Sequence, residues 1–217
     1  MNRRIFLQLP AAAAAQVPAP AQQRIDLTLE RLQQDSGWVR LDPQTVLASG
    51  DRIRFQFTSN APGWLCVYYT GSGGQSEWLW PPGAGSRLIT KDTAQLIPAE
   101  PAAYSVAGPP GLDVLYWILS PQQVPLESLV PPRAPRSVPS TLIPRCRGGA
   151  AGGQEQASCL DDRAGPAPLD TASSPFRQTR RLRARELKID SGSTGASIQT
   201  AERNIGVIVY EFRIAHR

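Results

Sequence analysis

Polar and apolar residues alternate along two segments of the chain, at residues 24–31 and 52–57. In each segment every second residue is apolar, namely Ile25, Leu27, Leu29 and Ile53, Phe55, Phe57. Because side chains of a β-strand point alternately to opposite faces, this period of two predicts two half-buried strands. The turn residues 47–51 precede the second of them, and the apolar face of each strand is predicted to join one core.

Further short apolar segments predict the rest of a β-rich fold. They lie at residues 37–41, 64–69, 77–80, 95–98, 103–106, 113–119 and 206–214. The glycine-rich turn at residues 71–74 predicts that 64–69 and 77–80 form a hairpin. Segment 113–119 is apolar after Asp113 and is predicted to be buried on both faces, and the last segment is predicted to pair inside the main sheet.

These segments predict an all-β fold, with one antiparallel β-sandwich or barrel-like domain. The chain has 217 residues, including 21 Pro and 18 Gly, a length and composition typical of one turn-rich domain. The predicted organisation is a signal peptide at 1–21, a main β domain at 24–120, a mostly disordered insertion rich in Pro and Gly at 121–175, and C-terminal strands at 176–217 that complete the domain.

The N-terminal residues have the order of a secretory signal peptide. A basic start with Arg3 and Arg4 is followed by an apolar run and a small-residue site at 19–21. The paired arginines are similar to a twin-arginine export signal, although the general secretory route and an N-terminal helix packed on the domain stay open. No other apolar stretch is long enough to span a bilayer, so we expect a periplasmic or extracellular protein without a transmembrane span.

The chain has three cysteines, and in an exported protein they can form disulfides because the compartment is oxidising. Cys146 and Cys159 flank a Gly-rich segment, and a disulfide between them would close a loop of roughly 15 residues. Free thiols in a disordered loop are the alternative. A zinc site is not expected, because His216 is the one histidine of the sequence. Cys66 lies in an apolar run and is predicted to be a buried small apolar residue.

Residues 47–119 resemble a bacterial family called domain of unknown function 4384. The resemblance is carried by the segments LASGDRIRF at 47–55, GWLCVY at 63–68, LWPP at 79–82 and LIP at 96–98, in that order. Trp64 and Trp80 stand where Tyr and Phe are usual, and residues 214–217 look like the end of some exported relatives. The resemblance implies a compact β fold. Members of this family are attached to signalling kinases, caspase-like peptidases and cell-envelope proteins, which implies a sensing or partner-binding role.

No catalytic site, metal site or cofactor site is predicted. A hydrolytic triad is not expected, because the one histidine, His216, lies at the end of the chain. Four carboxylates on turns or strand ends are candidates for acid–base chemistry, namely Asp51, Glu77, Asp92 and Asp113. Asp51 follows a glycine and is better interpreted as a turn residue that binds nearby backbone N–H groups. The pair at 161–162 lacks the spacing of a calcium loop and is interpreted as solvated.

Two surfaces are candidates for binding a partner. Trp78 and Trp80, placed on one side of their strand by alternation, are candidates for stacking against a sugar, with core packing as the alternative. The basic stretch at 177–188, with Arg180, Arg181 and Arg183, is a candidate for binding an anionic surface, with a solvated helix or edge strand as the alternative. The sequence therefore predicts a non-enzymatic module of the cell envelope that binds an envelope protein or polysaccharide, and no nucleic acid. A carbohydrate-binding or carbohydrate-active protein and a binder of anionic surfaces are the alternatives.

Overall fold

The described part of the chain consists of β-strands joined by turns and loops. A computed structural model describes residues 22–83, 85–123, 144, 146, 159–169, 187–200 and 207–217, and these ranges contain strands and no helix. In chain order the strands are β1 (Arg24–Gln33), β2 (Gly37–Leu41), β3 (Arg52–Ser59), β4 (Gly63–Thr70), β5 (Ser76–Trp80), β6 (Arg87–Ile89), β7 (Gln95–Ile97), β8 (Tyr104–Ser105), β9 (Gly111–Ser120), β10 (Gly165–Pro168), β11 (Leu187–Gly192), β12 (Gly195–Thr200) and β13 (Ile208–His216).

The strands form two antiparallel sheets that pack face to face. The first sheet has the order β11-β12-β1-β3-β7, with β2 paired to β1 and β8 paired to β3. The second sheet has the order β10-β13-β9-β4-β5, with β6 paired to β4. One apolar cluster joins residues of both sheets, so the fold is the predicted antiparallel β-sandwich.

Aromatic rings occupy the centre of this core. The Trp117 ring of the second sheet contacts two rings of the first, with centroids 5.3 Å from Phe55 and 5.5 Å from Phe57. Phe55 also meets Phe212 edge-on at 5.3 Å. The buried face predicted for β1 and β3 is confirmed, because Ile25, Phe55 and the other alternating apolar residues of these strands are all buried.

The second sheet is apolar on both faces. Residues of β4 alternate between the main core and a second apolar cluster on the other face, which includes Cys66, Tyr68, Tyr116 and Ile118. Every residue of β9 is buried, which confirms the prediction for residues 113–119. Cys66 is a free buried cysteine, as predicted.

The terminal strand β13 lies inside the second sheet, as predicted for residues 206–214. It pairs with β9 from Ile208 opposite Leu119 to His216 opposite Gly111, and with β10 on its other side. The end of the chain is thereby placed at the start of β9, beside the loop that leads into that strand.

The predicted disorder of residues 121–175 is wrong for residues 159–169. Leu160 forms a bridge with Thr45, and β10 pairs with β13 along its length. Two of the four residues of β10 are prolines, and they are tolerated because an edge strand needs hydrogen bonds on one side only. The predicted disulfide between Cys146 and Cys159 is present, with Cα atoms 4.8 Å apart.

Strands β6 and β10 were not predicted, and β11 and β12 were predicted only within the C-terminal strands at 176–217, without bounds of their own. The β11–β12 hairpin turns at residues 193–194 and adds β12 to β1 through a register that pairs Ile25 with Ile198. Its first strand alternates only at Leu187 and Ile189, which are half-buried, and its other residues are exposed, so the alternation is too short to identify a half-buried strand. It forms an edge of the first sheet, and the basic stretch at 177–188 contributes Leu187 and Lys188 to it.

Candidate functional site

A cleft opens along one side of the sandwich, where strand β5 of the second sheet faces strand β8 of the first. Its volume is about 310 Å³, which is within the range of pockets that take small ligands or single side chains. The hydroxyl of Tyr104 on β8 donates a hydrogen bond of 3.3 Å to the backbone carbonyl of Leu79 on β5. This bond ties the two strands together across the cleft.

The floor of the cleft is apolar. It is formed by side chains that extend from the main core, including Phe55 of β3, Leu115 of β9 and Ile214 of β13. Leu79 of β5 adds to it from the side. Because these residues come from both sheets, the shape of the floor depends on the packing of the sandwich.

A hydrogen-bond network forms the polar end of the cleft around the buried carboxylate of Asp113, at the start of β9. The Tyr69 hydroxyl donates to its Oδ2 at 3.1 Å, and the backbone N–H of Ser72 donates to its Oδ1 at 2.7 Å. The amide of Gln75 donates to the Tyr69 hydroxyl at 3.5 Å. Burial raises the pKa of Tyr69, and the negative charge of Asp113 raises it further, so Tyr69 stays a neutral donor.

A second carboxylate, Glu77, lines the cleft from the exposed side of β5. Burial raises the pKa of Tyr104, and the negative charge of Glu77 raises it further. The same charge also contributes to the raised pKa of Tyr69. The described residues that line the cleft include no lysine, arginine or histidine. The cleft therefore carries two carboxylates without a basic side chain in its lining, in a chain of net charge +5.

Behind the network, the structure brings a serine and the histidine together, contrary to the expectation from the sequence. The Nε2 atom of His216 lies 3.2 Å from Asp113 Oδ1 and 3.3 Å from Ser72 Oγ. The sequence distance between these residues concealed this contact, because β13 pairs with β9 and so brings the chain end to the β4–β5 turn.

This serine, histidine and aspartate do not have the geometry of a hydrolytic triad. In a triad the serine and the carboxylate contact opposite ring nitrogens of the histidine. Here Ser72 and Asp113 both approach Nε2, and Nδ1 has no hydrogen-bond partner among the described residues. The Ser72 hydroxyl donates instead to the carbonyl oxygen of Pro109 at 2.7 Å. The cluster is therefore arranged to hold the β4–β5 turn, the loop before β9 and the chain end together.

The prediction that Trp78 and Trp80 share one side of their strand is wrong. The register between β4 and β5 shifts, so that the adjacent residues Val67 and Tyr68 face Trp80 and Trp78 respectively. The extra residue, Leu79, makes a β-bulge that turns the two indoles to opposite faces. Trp80 is buried in the main core, and Trp78 packs edge-on against Tyr68 at 5.0 Å on the other face. They do not form one stacking surface.

The other candidates from the sequence have separate positions. Asp51 is a turn residue as predicted, since it accepts a hydrogen bond of 2.9 Å from the backbone N–H of Ala48. Asp92 lies in an exposed turn. The interpretation of Asp161 as solvated is wrong, because its side chain is buried and paired with Arg163 at 2.6 Å. Arg180, Arg181 and Arg183 and the predicted signal peptide lie outside the described residues. Over the described part of the chain there is no cluster of three or more acidic, histidine or cysteine side chains placed to bind a metal.

Sequence reasoning therefore found part of the cleft and missed part. Glu77 and Asp113 were two of the four candidate carboxylates, and the structure brings both to the cleft. Tyr69 and Tyr104 were assigned only to predicted strands, because a single strand gives no sign of which residue faces an opening between sheets. Among the described residues there is no helix long and apolar enough to cross a membrane.

Comparison with known proteins gives one match. The family model described as Domain of unknown function (DUF4384) matches residues 46–123, from the loop before β3 to the residues just after β9. The matched range contains all the described residues that line the cleft except Ile214. The chain matches no curated protein and no solved structure. Residues 46–123 of this chain are therefore similar to the DUF4384 family.

Proposed function

We propose that the protein is a non-enzymatic binding module and that the cleft between β5 and β8 is its ligand site. The observation that carries the proposal is the cleft itself, which combines an apolar floor with a small number of fixed polar groups. That combination is typical of ligand pockets, because apolar area supplies affinity and a few oriented hydrogen-bonding groups supply specificity.

The arrangement of Ser72, His216 and Asp113 supports a binding role over hydrolysis. No general base accepts the Ser72 proton, because that proton is donated to the Pro109 carbonyl. A serine that is not activated by a base is a weak nucleophile. The carboxylate of Asp113 is occupied by three neighbouring donors, which suits a group that fixes the shape of a pocket.

The cellular part of the proposal is that the protein is exported and acts in the bacterial envelope, on an envelope protein or polysaccharide. The disulfide between Cys146 and Cys159 supports export, because disulfides form and persist in oxidising compartments. The twin-arginine-like residues at the N-terminus also support export.

One observation favours a second candidate, a carbohydrate-binding or carbohydrate-active protein. Glu77 and Asp113 share the cleft with the hydroxyls of two tyrosines, and sugars are bound by carboxylates and aromatic rings. The buried position of Trp80 removes the tryptophan pair from this candidate.

An NMR fragment screen on the full chain tests the binding proposal. We expect several small fragments to shift the backbone amide signals of β5, of residues 104–108 and of Asp113. The variant Ser105→Trp places a large ring at an exposed position of the cleft wall and should abolish these shifts. Ser191→Trp is the matched control, because it makes the same change on the exposed strand β11, outside the cleft lining. A screen in which no fragment shifts the cleft signals of the wild type, or in which both variants lose binding equally, would overturn the proposal.

A further inference from the structure

The charges of the cleft indicate what kind of ligand it takes. Resting on the proposed binding function, we propose that the cleft between β5 and β8 binds an aliphatic cation, an ammonium or guanidinium group on an apolar stem, as in a lysine or arginine side chain. The proposal combines three observations on one cavity: its size, its apolar floor and its two carboxylates without a basic neighbour in the lining.

Asp113 has acceptor capacity left for a cation. Its Oδ1 contacts the Ser72 N–H and His216, whereas its Oδ2 contacts the Tyr69 hydroxyl alone among the described residues. A carboxylate oxygen accepts about two hydrogen bonds, so Oδ2 can accept one more. Because Asp113 is only 5% exposed, a cation that reaches this oxygen is screened weakly by water.

Glu77 supplies the second negative charge at the exposed side of the cleft. It acts on the pKa values of both Tyr69 and Tyr104, so its carboxylate lies within electrostatic reach of the two rings that flank the cleft. Both tyrosines remain neutral, and their ring faces also attract cations. The carboxylates and the rings therefore favour the same ligand charge.

The apolar floor selects the rest of the ligand. Phe55, Leu115 and Ile214 offer no hydrogen-bonding groups from their side chains, so a stem of methylene groups fits them better than a hydroxylated ring does. An anionic ligand is disfavoured, because it would face both carboxylates and no lysine, arginine or histidine in the described lining. A lysine or arginine side chain has both parts in the required order, an apolar stem and a charged end.

Matched small probes separate charge from shape. We titrate the full chain with n-pentylammonium, n-pentanol and pentanoate and follow the amide signals of the cleft by NMR. We expect n-pentylammonium to bind about tenfold more tightly than n-pentanol, the ratio that one charge-assisted hydrogen bond supplies. Pentanoate should cause no shift at the cleft. Addition of salt should weaken the binding of n-pentylammonium and leave that of n-pentanol unchanged.

A charge variant tests the role of the carboxylates. Glu77→Gln should weaken n-pentylammonium binding roughly threefold, because an exposed ion pair contributes little. Asp35→Asn removes one exposed negative charge outside the cleft and should change nothing. Nα-acetyl-lysine methylamide identifies the source of the cation: tighter binding than n-pentylammonium points to a side chain of a protein partner, and weaker binding points to a free amine.

The outcomes distinguish the cation inference from the proposed binding function on which it rests. If n-pentanol or pentanoate binds at the cleft as tightly as n-pentylammonium, the cleft is a ligand site and the cation inference is wrong. If a sugar shifts the amide signals of the cleft and n-pentylammonium does not, the inference is likewise wrong. If neither these probes nor any fragment shifts the cleft signals, both proposals fail.

Discussion

Replacement of Tyr69 by phenylalanine removes one oxygen atom from the network at the end of the cleft. The Tyr69 hydroxyl donates to Asp113 at 3.1 Å and accepts from Gln75 at 3.5 Å. The variant leaves the buried carboxylate of Asp113 without one of its donors and leaves the ring in place. We therefore expect Tyr69→Phe to lower the free energy of unfolding.

The structure sets the size of this effect. A hydrogen bond to a charged group contributes about 1.5–3 kcal/mol, and the partial exposure of Tyr69 places it at the lower end, so we expect a loss of about 1.5 kcal/mol. The longer contact with Gln75 adds little, since 3.5 Å is at the limit of a hydrogen bond.

Tyr210→Phe is the matched control, because it removes the same atom from a different environment. Tyr210 is fully buried, its hydroxyl has no hydrogen-bond partner among the described residues, and burial raises its pKa well above the ordinary value. An unpaired buried hydroxyl costs about 1–3 kcal/mol. We therefore expect the free energy of unfolding of Tyr210→Phe to be unchanged or to rise by about 1 kcal/mol.

Urea unfolding followed by tryptophan fluorescence measures both variants. A shift of the midpoint at constant m-value reports a change in stability alone. If Tyr69→Phe is as stable as the wild type while Tyr210→Phe loses more than about 1 kcal/mol, the assignment of hydrogen-bond partners is refuted, because the partnered and unpartnered hydroxyls would be reversed.

Three further predictions concern other buried groups. Burial raises the pKa of the Cys66 thiol from 9.0 to about 12, so the unfolded chain loses this proton first. The part of the free energy of unfolding that depends on this proton is fully present below pH 9 and is lost between pH 9 and pH 12, by up to about 1.4 kcal/mol per pH unit. Cys66→Ala should flatten this pH dependence, as measured by urea unfolding. Arg54→Met removes the 2.7 Å ion pair of the buried Glu30 and leaves it only the exposed Arg40 at 3.9 Å, so it should cost about 3 kcal/mol by the same assay, a loss that Glu30→Leu in the same chain should partly restore. Replacement of Cys146 and Cys159 by serine should cost about 3 kcal/mol, measured against the oxidised wild type.

Each of these predictions has a result that contradicts it. An equal slope above pH 9 in Cys66→Ala would show that the thiol titrates alike in both states. A double variant no more stable than Arg54→Met would show that the buried charge of Glu30 is not the source of the loss. Equal stability of the serine variant and the oxidised wild type would show that the disulfide does not constrain the unfolded chain.

The strands with strong alternation of polar and apolar residues, and the β fold that they form, could be predicted from the sequence. Strands β1 and β3 carry apolar side chains at every second position, so burial determines which face of each points to the core, and β9 is apolar from Val114 to Leu119, which indicates burial on both faces. Strands β10 and β11 could not be predicted in this way. β11 places two side chains, Leu187 and Ile189, against the core, and both strands are held mainly by backbone pairing with β13 and β12, which leaves little pattern in the side chains.

The site was less predictable than the fold, for two physical reasons. One is the β-bulge at Leu79. A single extra residue moves every later side chain of the strand to the opposite face of the sheet, and the sequence does not mark where the bulge lies. The other is long-range pairing, which brings His216 to Ser72 and Asp113 across the whole chain. Glu77 and Asp113 could be named from the sequence as candidate carboxylates, but their position in one cleft could not be predicted.

The most direct test of the cleft as a ligand site is a crystal structure of the full chain grown with n-pentylammonium. We expect the probe to lie between β5 and β8, with its nitrogen within hydrogen-bond distance of Glu77 or Asp113 and its stem against Phe55 and Leu115. An empty cleft at a saturating concentration of the probe would contradict the cation inference, and it would contradict the proposed site as well if no fragment shifts the cleft signals in solution.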